Sequence, residues 1–324
     1  MKVLVLGGTG FIGREVARRL SSQDSTEVVV ASRRAQGSPA GSSGISVDAL
    51  DQAALTRALE GVDAVVNCVA GDGGAIVQGA ETLVRAALDA GRPRVVHMST
   101  MSVYGGAQGL VDESHPTRDD LGWYGHAKIE AEASFDRYRQ AGGNAVILRP
   151  GCVVGAGGVD WVGRLARLLE LRRLGDLGAA GDGPTNLVDV ADVAQAVVGA
   201  LALPQSPNGA PRFNLAAPDS PRWNAYFTDL AIALGATPVR RLTARAMKRE
   251  IYLRGIALKM AERLAGKLGA RVDLPPAITP SLTRLWSQQI QLDSGAATRD
   301  LRLSWTPYAQ TLQRSVDWWR GSPS

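Results

Sequence analysis

Lys2-Val-Leu-Val-Leu-Gly7-Gly8-Thr9-Gly10-Phe11-Ile12-Gly13 is the stretch on which the reading of this chain turns. The short apolar run from Lys2 to Leu6 predicts a buried strand, and residues from Phe11 to about Leu20 carry a helical pattern. Between them Gly7, Gly10 and Gly13 stand at the spacing GxxGxxG. Glycines there allow a tight turn and let an anion approach the backbone N–H groups at the helix start, where the partial positive charge of the helix sits. A dinucleotide pyrophosphate is the anion that suits a first strand–helix unit. Gly7, Thr9, Gly10, Phe11, Ile12 and Gly13 are therefore candidate cofactor contacts.

Outward from this turn, Glu27–Ala31, Ile45–Val47, Ala64–Cys68, Arg94–Met98 and Ala145–Leu148 read as further buried strands, separated by helix-like stretches near 52–59, 74–90 and 124–140. Strands alternating with helices predict an α/β fold, a doubly wound parallel Rossmann sheet covered on both faces. After Arg149 the alternation weakens, and helices are predicted at 161–174, 189–203, 223–234 and 245–268. A chain of 324 residues exceeds the ~250 to 300 residues at which a single core stops growing. The expected division is a dinucleotide-binding domain over 1–155, to which 180–203 returns, and a smaller, mostly helical substrate-binding and capping region over 156–324.

Composition narrows the function classes. The chain is 45% hydrophobic and 21% charged with a net charge of +5, and it carries no basic block of the kind that binds nucleic acid. A small-molecule substrate is expected. No apolar run reaches the ~18 residues of a membrane helix, and Met1-Lys2-Val3 enters a strand pattern directly. Cys68 and Cys152 lie far apart in apolar contexts and suit a reducing compartment. A cytoplasmic protein with no stable membrane insertion is the expectation.

At the end of the second strand, an NAD site has a carboxylate for the ribose 2′-hydroxyl. Here Ser32, Arg33 and Arg34 stand instead. A hydroxyl and two guanidiniums suit a 2′-phosphate through charge-assisted hydrogen bonds, so NADP(H) is preferred, with NAD(H) as the second choice.

Tyr124-Gly-His-Ala-Lys128 opens a predicted helix, and the i, i+4 spacing puts phenol and ammonium on one face. A phenol of ordinary pKa ~10 must titrate about three pH units lower to exchange protons near neutrality, which is roughly 4 kcal/mol. A positive charge ~4 Å away at an effective dielectric of ~20 is worth about that much. Such a pair alone is common on amphipathic surfaces; its weight comes from Val95-Val-His-Met-Ser99-Thr100-Met-Ser102, a buried strand ending in hydroxyls at the sheet edge. A hydroxyl there can hold a substrate oxygen as its charge changes. By geometry alone Ser99, Thr100 and Ser102 compete for that role.

In combination these motifs resemble an extended short-chain dehydrogenase/reductase of the NAD(P)-dependent epimerase/dehydratase superfamily, over essentially the whole chain. The order is GxxGxxG, Asp48 after the third strand, Asn67-Cys-Val-Ala70-Gly71 after the fourth, SxxSVYG from Ser99 to Gly105, YxxxK, Arg149-Pro150-Gly151, and Asn186-Leu-Val-Asp189-Val-Ala-Asp192. The resemblance implies that Thr100, four residues before Tyr104, is the catalytic hydroxyl, that Tyr124 is the general acid or base, and that Lys128 binds the nicotinamide ribose and tunes Tyr124. Ser99 would contact the cofactor. Asp48, with Ala49 beside it, would face the adenine; Ala70 and Gly71 would line the groove, and Pro150, Gly151 and Cys152 would run past the nicotinamide. A homodimer is also implied.

Two departures narrow the chemistry. Dehydratases of this superfamily carry an acidic pair after the catalytic threonine, where Met101 and Ser102 stand here, so sugar 4,6-dehydration is not expected. Arg33 and Arg34 resemble NADP-using reductases. The expected function is hydride transfer between nicotinamide and a secondary alcohol or ketone. One alternative is a nucleotide-sugar epimerase that keeps NAD(P) tightly bound, a branch that Tyr104-Gly105, Asp112-Glu113, Pro116 and Glu132 resemble as much as any other. The other is a non-catalytic NADP-sensing regulator, disfavoured because tyrosine and lysine are both present.

Other features carry less. The basic amphipathic stretch 245–268 and the arginines 164, 167, 172 and 173 read as solvated helix faces. His97, His115 and His126 lack metal-ligand spacing, and no metal is expected. Trp286, Trp305, Trp318 and Trp319 are expected to pack the C-terminal helix against the core.

Overall fold

The valine-rich runs of the first half lie side by side, all parallel. The structure, a computed structural model, describes residues 1–34, 37–205, 209–255, 257–258, 260–261, 264 and 274–322. Seven strands, β1 (Lys2–Leu6), β2 (Glu27–Ser32), β3 (Ser43–Ser46), β4 (Ala64–Asn67), β5 (Arg94–Met98), β6 (Ala145–Pro150) and β7 (Arg212–Leu215), form one sheet in the order β7-β6-β5-β4-β1-β2-β3. The order reverses beside β1, with Val5 facing Val30 of β2 on one side and Val66 of β4 on the other. In such a sheet ligands bind beyond the carboxyl ends of the strands at this switch point.

The central strands are buried on both faces, which is why they read as continuous apolar runs. One face carries Val3, Val5, Val28, Val30, Val66 and Val96, packed against Val16, Ala17 and Leu20 of α1 (Phe11–Ser21) and Val193 and Val197 of α5 (Val190–Ala202). The other carries Leu4, Leu6, Val29, Val65, Val95 and Ile147. It packs on Leu55 and Leu59 of α2 (Gln52–Leu59), Ile76, Ala80 and Leu83 of α3 (Gly73–Asp89), and Ala127, Ala131 and Phe135 of α4 (Trp123–Gln140). Asp51, Asp72 and Asp189 cap α2, α3 and α5 by accepting backbone N–H bonds at 2.9, 2.9 and 2.8 Å, satisfying donors that a helix start leaves unpaired.

The chain divides into two units. The first comprises Met1–Val153, Val188–Pro218 and Leu292–Thr306; the second comprises Val154–Leu187, Asp219–Gln291 and Pro307–Ser324. The first unit thus takes back Val188–Pro218 and Leu292–Thr306, whereas 180–187 stays with the second. Residues Arg212–Leu215 supply the edge strand β7 beside β6, too short and too mixed in polarity to show a periodicity. Residues up to Thr306 are tied in because Thr306 donates its N–H and hydroxyl to Asp192 on α5 at 2.9 and 2.7 Å.

The second unit is mostly helical. Trp223, on the helix Trp223–Leu234, stacks with Trp161, Phe227 and Trp286 at ring separations of 5.6, 5.6 and 6.4 Å. Trp319, on the final helix, donates to Glu170 at 2.9 Å. Trp305 belongs instead to the first unit, where it donates to Thr298 and packs on the valine core. Arg173 is not on a solvated face: it is buried and pairs with buried Glu250, with Nε donating at 2.6 Å. The helix Arg164–Glu170 ends before it, and Arg172, at φ +57°, turns to donate to the carbonyl of Pro238 at 2.6 Å.

Candidate active site

Gly7 follows β1 at φ +79°, a conformation that favours glycine. A Cβ there would stand 3.0 Å from the Cys68 carbonyl group, and one at Gly13 would stand 2.3 Å from the Gly7 oxygen. The turn is therefore all backbone. Gly10 caps α1 without any side-chain hydrogen bond, and no acidic residue occupies the first turn of that helix. Thr9, Phe11 and Ile12 are half-buried along it, and Gly10 is exposed. Uncapped N–H groups, a helix dipole and no side chain in the way fit a pyrophosphate.

Ser32 ends β2 and donates its hydroxyl to the carbonyl of Arg34, while Ser46 on β3 donates to the carbonyl of Arg33 at 3.2 Å. Both guanidiniums are exposed, and neither is paired with a carboxylate among the described residues. Asp48 is exposed beyond β3 and accepts the Leu50 N–H at 3.0 Å, with Ala49 half-buried beside it. Ala70 and Gly71 follow β4, where Asn67 accepts the Val69 N–H at 3.1 Å. Pro150 is the last residue of β6, Gly151 donates to the Leu215 carbonyl at 2.9 Å, and Cys152 is buried with its thiol raised by burial.

Beyond β5 the three hydroxyls separate. Ser99 is buried and donates to Glu132 on α4 at 2.5 Å; its proton is committed inward. Thr100 is also buried and caps the short turn 101–104, accepting the Ser102 N–H at 3.2 Å. Ser102 lies 3.3 Å from Thr100 Oγ1.

Helix α4 carries Tyr124 in its first turn and Lys128 one turn later. Tyr124 is 38% exposed and meets the Trp123 ring edge-on at 5.6 Å. Lys128 is 3% exposed and donates to the Met98 carbonyl at 2.8 Å. Burial pulls the ammonium down to about 8, opposed by electrostatic coupling to Cys68 and to Glu132. Gly125 explains how close this helix comes: a Cβ there would lie 2.7 Å from the Ser102 carbonyl oxygen.

A buried polar network under these residues was not visible as a unit in sequence. Glu132 accepts from Arg149 Nε and Nη2 at 2.9 and 2.6 Å; Arg149 Nη1 donates to the Tyr104 hydroxyl at 2.9 Å; Tyr104 donates to Asn214 at 2.7 Å. Asn214 in turn donates to the Val111 and Asp293 carbonyls at 3.0 and 3.2 Å. Burial disfavours the Arg149 charge, but its bonds to Glu132 outweigh that and raise it above its ordinary value. Tyr104 is raised by burial and stays a phenol. Glu132, Tyr104 and Arg149 entered the sequence reading only as motif letters, and Asn214 not at all.

No cluster of His, Cys, Asp and Glu suited to a metal occurs among the described residues. His97 is buried against Phe135 and held neutral, while His126 is exposed beside Asp119 and Glu130 at 2.7 and 3.2 Å. Of the basic stretch 245–268, Lys248, Arg249 and Arg254 lie on exposed helix positions; Lys259, Arg263, Ala265, Lys267 and Leu268 lie outside the described residues. No helix among the described residues is long and apolar enough to cross a membrane.

A doubly wound sheet with a bare glycine turn at its switch point is the layout of a dinucleotide-binding fold. The sequence matches the NAD dependent epimerase/dehydratase family over residues 3–216. The chain belongs to that family, and so to the NAD(P)-dependent oxidoreductase and epimerase class. It is 36% identical to dTDP-6-deoxy-L-talose 4-dehydrogenase (NAD(P)(+)) of Kitasatospora kifunensis, over 52% of this chain and 58% of that enzyme, so the match spans little more than half of that relative. It is 27% identical to 4-hydroxy-2-methyl-3-oxo-4-farnesyl-3,4-dihydroquinoline-1-oxide ketoreductase of Stigmatella aurantiaca, over 93% and 91% of the two chains. The fold is that of MoeE5 in complex with UDP-glucuronic acid and NAD, with a TM-score of 0.73, 24% identity and 99% of each chain covered.

Proposed function

We propose that the protein is an NADP(H)-dependent oxidoreductase that interconverts a ketone and a secondary alcohol of a small-molecule substrate. The observation that carries this reading is the placement of Tyr124 and Lys128 on one face of α4, with Gly125 packed onto the backbone of the hydroxyl-bearing loop beyond β5. When bound, the nicotinamide supplies or takes up the hydride. Tyr124 delivers the proton to the substrate oxygen in reduction and receives it in oxidation; Thr100 hydrogen-bonds that oxygen; Lys128 holds the ribose hydroxyls and, as a cation, favours the tyrosinate.

The preference for NADP(H) rests on Ser32, Arg33 and Arg34 at the end of β2, where a 2′-phosphate meets two guanidiniums and no carboxylate. The reductase reading is supported by the ketoreductase relative, which matches nearly the whole chain. The purified protein, dialysed and then offered ketones and nucleotide sugars with NADPH or NADH, is expected to oxidise one NADPH per ketone reduced. Cofactor that survives dialysis and is not consumed while a nucleotide sugar is interconverted would replace this reading with the epimerase.

A further inference from the structure

Glu132 stands one helical turn beyond Lys128 and is itself 3% exposed. Its Oε1 accepts from Ser99 at 2.5 Å and from Arg149 Nε at 2.9 Å; its Oε2 accepts from Arg149 Nη2 at 2.6 Å and Arg212 Nε at 3.4 Å. Ser99 extends β5 and immediately precedes Thr100, Arg149 lies on β6 and Arg212 on β7. One carboxylate thus ties the helix that carries Tyr124 and Lys128 to the ends of three neighbouring strands.

We infer that Glu132 is the positioning residue of this site: it fixes α4 against the Thr100 loop and supplies the negative charge that lets Lys128 remain an ammonium in a buried place. The inference deepens the proposed function and rests on the roles given there to Tyr124 and Lys128.

An ammonium shielded from water is disfavoured unless an anion faces it, and the Met98 carbonyl is only a dipole. The titratable groups that interact electrostatically with Lys128 are Cys68 beyond β4, His97 on β5 and Glu132 on its own helix. Burial keeps the Cys68 thiol protonated up to about 12, and burial together with the Lys128 charge keeps His97 neutral. The carboxylate among them is Glu132. Arg149 and Ser99 hold its oxygens in place, so the charge is fixed as well as present.

A buried ion pair that served packing alone would affect stability and leave the titration of Lys128 untouched. The test is therefore a pH profile. Glu132→Gln keeps the shape and the acceptor for Ser99 while removing the charge. The unmodified protein is expected to lose kcat/KM as pH rises through about 8. The variant should lose it at least about half a pH unit lower, with plateau kcat down ~10-fold and NADPH binding kept at the acid end. A decline that stays at the original pH overturns the inference. Should the Gln variant not fold, Glu132→Asp takes its place, since it keeps the charge but withdraws it by one methylene. The decline is then expected at its original pH with kcat lowered ~10-fold, and full activity in that variant overturns the positioning role. Tyr124→Phe and Lys128→Met in the same assay separate the two layers: turnover retained in both removes the proposed function itself, whereas turnover lost in both with an unmoved Glu132→Gln profile removes only this inference.

Discussion

The glycine turn between β1 and α1 and the hydroxyl end of β5 lie in the same unit, yet they are built on opposite principles. The turn works by leaving atoms out: backbone N–H groups, a bare helix start, and no room for a Cβ at Gly13. The β5–α4 edge works by atoms held in place, with Ser99, Glu132, Arg149, Tyr104 and Asn214 joined below the proposed reacting groups. Under the proposed function, a cofactor cradle of the first kind is broken by adding a methyl group, and a catalytic edge of the second kind by removing a charge or a hydroxyl.

That contrast can be broken or sharpened by substitution. The largest effect is expected from Lys128→Met, which removes the ribose contact and the cation beside Tyr124 together; kcat/KM should fall ~1000-fold or more, read by steady-state NADPH oxidation. Gly13→Ala should cost NADPH affinity ~100-fold, because the clash is with backbone that cannot yield; fluorescence titration of bound NADPH measures it. Gly125→Ala pushes α4 off the Ser102 carbonyl and should lower kcat ~10-fold while leaving NADPH binding within about twofold. An equal loss of binding there would show that edge and cradle are not separable. The smallest effect belongs to Arg33→Ala with Arg34→Ala, exposed charges that salt screens: NADPH preference over NADH should drop about tenfold at low ionic strength and less in high salt, with NADH kinetics unchanged.

The two regions also differ in how far the sequence discloses them. The cradle is contiguous, so its spacing and its position between an apolar run and a helix were enough to read it from Gly7 to Gly13. The i, i+4 pair Tyr124 and Lys128 was legible for the same reason. The supporting network was not: Ser99 and Glu132 are 33 residues apart, Arg149 and Glu132 are 17 apart, and Tyr104 and Asn214 are 110 apart. No local periodicity joins them; only the parallel register of β5, β6 and β7, with α4 lying against those strands, does. Ser99 illustrates the point. By residue type Ser99, Thr100 and Ser102 suited one role equally, and only the position of Glu132 shows the Ser99 proton turned inward. Gly125 did carry a usable signal, a glycine in the first turn of a helix, whose reason was the carbonyl 2.7 Å from its absent Cβ. Arg173 misled because a charge on a helical pattern reads as solvated until Glu250, 77 residues on, is brought to it.

The account stands on Tyr124 moving the substrate proton beside a dinucleotide held by the glycine turn. Tyr124→Phe removes one oxygen and leaves the glycine turn and Lys128 in place. Single-turnover NADPH oxidation by this variant, with NADPH affinity measured on the same sample, is predicted to show the rate lowered ~1000-fold or more and affinity within about twofold of the original. A rate retained within tenfold, with NADPH bound as before, would contradict it.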